Sequence, residues 1–121
     1  MHEAAIALNL IEAVGDRLAP EALARVAVIH VRIGELSGVS ADALDFAFRC
    51  LTAHSSLAAA RLDFEPVPLA QVCDACGRGS PVRDLVFRCP ACGSERTRIA
   101  GGRELEVRSL ELAEEGEAVH A

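Results

Sequence analysis

Cys73-Asp74-Ala75-Cys76, twelve residues from Gly77 to Arg88, then Cys89-Pro90-Ala91-Cys92: this stretch decides the architecture. Two thiolates at i and i+3 can share one metal ion because the turn between them aims both sulfurs inward. Gly77 and Gly93, each directly after a pair, permit that turn and let backbone N–H groups approach the sulfurs. Together the pairs supply four soft ligands, the tetrahedral set that Zn²⁺ takes at about 2.3 Å. A four-cysteine site has no open coordination position, so it reads as structural rather than catalytic. An iron–sulfur cluster or redox thiols would use the same residues, but no other cofactor signal accompanies them. With Gly79, Pro81 and the Gly101-Gly102 exit around them, residues 71–102 read as a separate zinc-binding ribbon.

Working outward, residues 3–18 carry Ile6, Leu10, Val14 and Leu18 near helical spacing, with Ala7 and Ile11 beside them and a break expected at Pro20. Residues 25–34 switch to period two, with Ala27, Ile29, Val31 and Ile33 on one face of a strand. After the turn Gly34-Glu35-Leu36-Ser37-Gly38, Ser40 caps a second helix whose stripe is expected to be Leu44, Phe48 and Leu51, with Phe46 and Ala47 alongside. Cys50 on that helix reads as a small buried hydrophobe. Residues 61–67 form a second strand ending near Pro66 and Pro68. Beyond the ribbon a third strand places Leu105 and Val107 on one parity and Leu110 and Leu112 on the other, a slip expected near Ser109. Residues 114–121 are acidic and expected to fray. The fold class is therefore α+β, two helices on a small three-stranded sheet with an inserted four-cysteine ribbon. The α+β domain would comprise residues 1–70 plus 103–121.

Composition removes several functions. The 121 residues carry 18 acids against 12 bases, a net charge of −6, which disfavours bulk-charge binding to nucleic acid. All the bases are Arg; without Lys there is neither a P-loop nor Schiff-base chemistry. The ribbon's five Arg exceed its three acids by two, and a zinc tetrathiolate cancels that excess. The chain has no Trp or Tyr, and Phe87 is the ribbon's only aromatic, so no stacking platform for bases exists. No leader-like segment and no apolar run long enough to span a bilayer is evident, so a reducing cytoplasmic setting is expected. No nucleophile–base pair or phosphate loop is present, which points to a non-enzyme. His30, His54 and His120 read as surface or satisfied histidines, each lacking a second ligand at metal spacing.

His2 is different. A second-position histidine can offer its imidazole, its backbone nitrogen and the neighbouring α-amine of Met1 to one metal, and the Glu3 amide can complete a plane. An all-nitrogen square plane is what Ni(II) or Cu(II) prefers. Spacing alone leaves this reading level with that of a frayed terminus bearing an incidental histidine.

The opening Met1-His2-Glu3, the segment Val31-Arg32-Ile33-Gly34-Glu35-Leu36-Ser37-Gly38-Val39, the paired cysteines and the closing Gly102-Arg103-Glu104-Leu105 resemble the HypA/HybF family over the chain to about Leu112. That resemblance implies a nickel metallochaperone for maturation of [NiFe]-hydrogenase, with transferable nickel at His2, Glu3 and Met1 and structural zinc at Cys73, Cys76, Cys89 and Cys92. It implies as partners a nickel-handling maturation GTPase and the hydrogenase large subunit, some members also serving urease. No nucleic acid or membrane is implied, and the chain would be a monomer or homodimer. The sequence departs from the family at Ala4 and Ala5, where Met or Leu and then Ser are common. The rival class is a zinc-ribbon adaptor that binds nucleic acid or protein and uses no second metal.

Overall fold

A computed structural model describes residues 2–114. The elements run α1 (Glu3–Arg17), α2 (Pro20–Leu23), β1 (Val26–Gly34), α3 (Ala41–Thr52), β2 (Arg61–Val67), β3 (Ala70–Cys73), β4 (Gly79–Pro81), β5 (Thr97–Gly101) and β6 (Leu105–Leu112). They divide into two compact units. One takes in the chain up to Arg32, Gly38–Glu65 and the chain from Glu106; the other takes in Ile33–Ser37 and Pro66–Leu105. The cysteine-bearing unit is thus wider than residues 71–102.

The first unit is built on a three-stranded sheet in the order β2-β1-β6. Ala113 N–H donates to Arg25 O before β1 begins, and Gly34 N–H donates to Glu104 O where β1 ends, so β6 runs antiparallel to β1. The ion pairs His30–Asp63 and Arg32–Glu65 step the same way along both strands, so β2 is parallel to β1, with α3 as the crossover. α1 packs against α3. The core comprises Ala7, Leu10 and Val14 of α1, Leu44 and Phe48 of α3, and Ile29 and Val31 of β1. Burying side chains of this size contributes roughly 1.5–3 kcal/mol each. The other face of the sheet is charged: His30, Arg32, Asp63, Glu65, Glu106 and Arg108 form a lattice of ion pairs there.

Several expectations change. Pro20 does not merely break α1; it starts α2 at a first-turn position, where its missing N–H is no loss. In α3 the inward row is Leu44, Phe48 and Thr52, an i, i+4 series, while Phe46 is 70% and Leu51 42% exposed. Thr52 can be buried because its hydroxyl donates to Phe48 O at 2.8 Å. Cys50 is exposed, two residues and therefore about 200° round the helix from Phe48. On β1, Val26 and Val28 are buried on the same parity as His30, so only the far half of that face is polar. In β6 the parity slips as expected: Arg108 and Ser109 are consecutively exposed, and Glu111 reaches His30 on the charged face.

The second unit centres on a sheet in the order β4-β3-β5, all antiparallel, which the sequence reading did not resolve inside the ribbon. Gln71 faces Ser80 on β4 and Ile99 on β5, and the register shifts between Ala70 and Gln71. The ends of the first sheet's strands belong to this unit and are hydrogen-bonded to one another. Gly34 N–H donates to Glu104 O, Glu35 N–H to Val67 O, and Leu36 N–H to Gly102 O. A Cβ on Gly34 would lie 2.2 Å from Gly102 O, so only glycine fits this crossing.

Candidate metal centre

Each cysteine pair sits in the same backbone turn. Cys73 N–H donates to Arg78 O at 2.9 Å and Gly77 N–H returns to Cys73 O at 2.8 Å. In the second pair Cys89 N–H donates to Ser94 O at 2.9 Å and Gly93 N–H to Cys89 O at 2.8 Å. Gly77 and Gly93 adopt φ of +78° and +76°, the left-handed region the glycines after each pair were expected to supply. Within each pair one sulfur is buried (Cys73, Cys89) and one is exposed (Cys76, Cys92).

The four sulfurs lie within 4.8 Å of one another, with Cys73–Cys92 and Cys76–Cys89 both at 3.6 Å. A disulfide would need about 2.05 Å. Sulfurs at the corners of a tetrahedron about 2.3 Å from a central Zn²⁺ would be about 3.8 Å apart, so the donor set fits a tetrahedral cation closely. Backbone N–H groups prepare it electrostatically. The Cys76 N–H, aimed at the Cys73 sulfur, holds that thiol below its ordinary value against the opposing effect of burial. The Cys92 N–H does the same for Cys89, bringing it to about 6. Cys92 moves the other way, to about 11: the Ser94 N–H favours its thiolate, but the Cys73 sulfur, burial and the other two sulfurs outweigh that. Sulfurs this close cannot all be thiolates on their own account; a bound cation is what would let all four ionise.

At the amino terminus His2 is exposed and is the N-cap residue of α1, where its imidazole makes no capping hydrogen bond. The first N–H paired within the helix is that of Ile6, which donates to His2 O at 3.1 Å. The Glu3 amide therefore has no intrahelical acceptor. The Glu3 side chain is directed elsewhere: its carboxylate accepts from Ser40 N–H at 3.4 Å, at the start of α3. Met1, the remaining expected nickel ligand, lies outside the described residues, as does His120.

His30 gains two partners that sequence spacing could not suggest. Its ring nitrogens meet Asp63 at 2.9 Å and Glu111 at 2.5 Å, 33 and 81 residues away. The Glu111 hydrogen bond, with Asp63 assisting, raises the imidazole above its usual value of 6.5 despite opposing desolvation. The two acids stand on opposite sides of the ring, so they do not converge on one metal position. Two further carboxylates of the motif segments turn out to hold backbone: Glu35 accepts from Leu69 N–H at 2.7 Å, and Glu104 from Gly102 N–H at 2.6 Å. A glutamate within two residues of a glycine was the available signal, but its acceptor role needed the fold.

Residues 1–112 match the family described as hydrogenase/urease nickel incorporation, metallochaperone, hypA. The hydrogenase maturation factor HypA of Roseiflexus sp. (strain RS-1) is 42% identical over 116 residues, covering 95% of this chain and 94% of that protein. That of Geobacter metallireducens is 39% identical, covering 93% and 99%. Among solved structures, the solution structure of the Ni metallochaperone HypA from Helicobacter pylori superposes with a TM-score of 0.66 at 24% identity, covering 93% of this chain and 98% of that one. A second HypA solution structure gives 0.70, also at 24% identity, covering 93% and 96%. These two speak for the fold alone.

Proposed function

The chain belongs to the HypA family, and from that premise we propose that it carries Ni(II) at its amino terminus and hands it on during [NiFe]-hydrogenase maturation. One observation carries the reading: the family match begins at residue 1, and so includes the terminus where His2 is exposed beside an amide free of helix pairing. In this reading nickel is cargo. The α-amine of Met1, the His2 imidazole and amide, and the Glu3 amide supply a nitrogen plane, and the Glu3 carboxylate anchors the segment to the start of α3. Exposure serves transfer, because an incoming ligand can reach the ion before the outgoing ones leave.

Cys73, Cys76, Cys89 and Cys92 would hold zinc, whose contribution is to cross-link the two turns rather than to react. The protein is a non-catalytic cytoplasmic carrier, and its counterparts are a nickel-handling maturation GTPase and the hydrogenase large subunit. These assignments rest on the family resemblance. The family name also covers urease, so the recipient enzyme is part of what the test must decide.

The decisive measurement is a Ni(II) titration of zinc-loaded protein, read by calorimetry and by absorbance in a spectrum that no Trp or Tyr obscures. The native chain should bind one equivalent, and His2→Ala should lose it while keeping its zinc. A Gly-Ser extension before Met1 should weaken binding too, because it converts the amine to a peptide nitrogen. Unchanged affinity in His2→Ala would move the nickel site elsewhere. Unchanged affinity in the extended form would remove the amine from the ligand set.

A further inference from the structure

Four buried side-chain atoms lack a hydrogen-bond partner among the described residues: Arg32 Nε, Glu65 Oε2, Gln71 Oε1 and Thr97 Oγ1. Three of them belong to groups that are otherwise engaged. Arg32 and Glu65 form an ion pair, and the Gln71 amide nitrogen donates to Ser80 Oγ and Arg88 O. Thr97 has one polar side-chain atom, so its hydroxyl is wholly unpaired. Burying a hydroxyl in that state costs free energy, because water satisfies it in the unfolded chain. Oγ1 is shut off from solvent, so only a neighbour inside the protein can pair with it.

The strand register names that neighbour. Thr97 of β5 stands directly opposite Cys73 of β3. One step along, Asp74 N–H donates to Arg96 O, whereas Cys73 N–H turns away to Arg78 O and Thr97 N–H to Glu95 O. Cys73 and Thr97 are therefore a non-hydrogen-bonded antiparallel pair. In such a pair the Cα atoms are only about 4.5 Å apart and both side chains leave the same face of the sheet. The Cys73 side chain is buried, and its sulfur is one of the four that lie within 4.8 Å of one another. Cys89, its equivalent in the second turn, lies in no strand and has no residue set opposite it in this way.

We propose that Thr97 is a positioning residue of the metal centre: its hydroxyl donates a hydrogen bond to the Cys73 thiolate when a cation is bound. The proposal rests on the reading of the four cysteines as a zinc site. A neutral thiol is a weak acceptor, which accounts for the idle hydroxyl in the metal-free chain. A thiolate is a charged one and makes a stronger bond. Rotation about the Thr97 Cα–Cβ bond brings Oγ1 toward the sulfur, since the two side chains already share a face. The bond draws negative charge off Cys73 and holds its sulfur in place, a service Cys89 does not receive from a strand partner.

The test uses the full-length chain, loaded either with Zn(II) in competition with a chelator or with Co(II), whose sulfur-to-metal charge-transfer band reports on the thiolates. Thr97→Val keeps the shape of the side chain and removes the O–H; Thr97→Ser keeps the O–H. In T97V the metal-free chain sheds an unpaired hydroxyl and the loaded chain loses a hydrogen bond, and both effects lower affinity. Zinc should bind about tenfold more weakly, equivalent to about 1.4 kcal/mol. The cobalt charge-transfer band should move to longer wavelength, because a sulfur without that hydrogen bond gives up charge more readily. T97S should restore both. The proposal fails if T97V leaves the band where the native chain has it, whatever its affinity. It fails equally if T97S behaves as T97V does, since the shape of the side chain and not its hydroxyl would then matter. A native chain that takes up no equivalent of Co(II) with thiolate absorption overturns the zinc-site reading itself, and this proposal with it.

Discussion

Replacing Gly34 by alanine should damage this protein more than the loss or gain of one methyl group would suggest. The new Cβ would stand 2.2 Å from Gly102 O, 2.3 Å from Gly102 C and 2.6 Å from Glu104 N, all backbone atoms with no rotamer to swing aside. Ordinary contact begins near 3.4 Å, so the two chain segments must separate by about an ångström. That separation breaks or stretches the bonds from Gly34 N–H to Glu104 O and from Leu36 N–H to Gly102 O, both 2.6 Å. At about 0.5–1.5 kcal/mol for each of the two bonds, plus about 1–3 kcal/mol of strain, the expected loss is roughly 2–6 kcal/mol. The Tm should fall by roughly 10–20 °C. Two other glycines supply controls. Gly38 has open space but a φ of +74°, so Gly38→Ala should cost about 1 kcal/mol. Gly15 lies within α1 with nothing inside 4 Å, so Gly15→Ala should stabilise by about 0.5–1 kcal/mol. Thermal unfolding followed by far-ultraviolet circular dichroism, with metal release to a coloured chelator as a second signal, ranks the three. If Gly34→Ala stays within about 1 kcal/mol of the parent, the crossing is not held as tightly as its distances imply, and the reasoning from close approach is wrong.

Three further outcomes are expected. The folded protein holds His30 as the cation more tightly than the unfolded chain does, so its contribution is complete below the unfolded value of 6.5 and fades as pH rises through the higher folded one. NMR titration of the ring should show that elevation, and Glu111→Gln should reduce it; an unmoved midpoint would discount the pair. Phe48→Ala should cost about 3–5 kcal/mol while Phe46→Ala stays within about 0.5 kcal/mol, since the first is fully buried and the second 70% exposed. Comparable losses in denaturant titrations would contradict that division of α3. Cys73→Ser with Cys89→Ser should abolish zinc binding and loosen the ribbon while most helical signal persists, because α1 and α3 lie in the other unit. Joint collapse of zinc content and helicity would show one cooperative core.

Much was legible in one dimension because the relevant physics is local. The cysteine spacing predicted a four-sulfur cluster, since a pair at i, i+3 closes its own turn and only the meeting of the two pairs is non-local. Helices α1 and α3, strands β1, β2 and β6, and the Ser40 cap all follow from periods of 3.6 or 2 and one hydroxyl. The family resemblance was carried by short segments whose order survives unfolding. What only the tertiary structure decided depends on which distant residues come to face one another. Periodicity could not say that α3 turns Thr52 inward and Leu51 and Cys50 outward, because a few tens of degrees of helix rotation are set by packing against α1. Nor could it pair His30 with Asp63 and Glu111, make Glu35 and Glu104 acceptors for Leu69 and Gly102, or leave Gln71 Oε1 without a donor. Each of those depends on strand order and register, where one step changes which side chains meet, and register is settled by the whole sheet rather than by any segment of it.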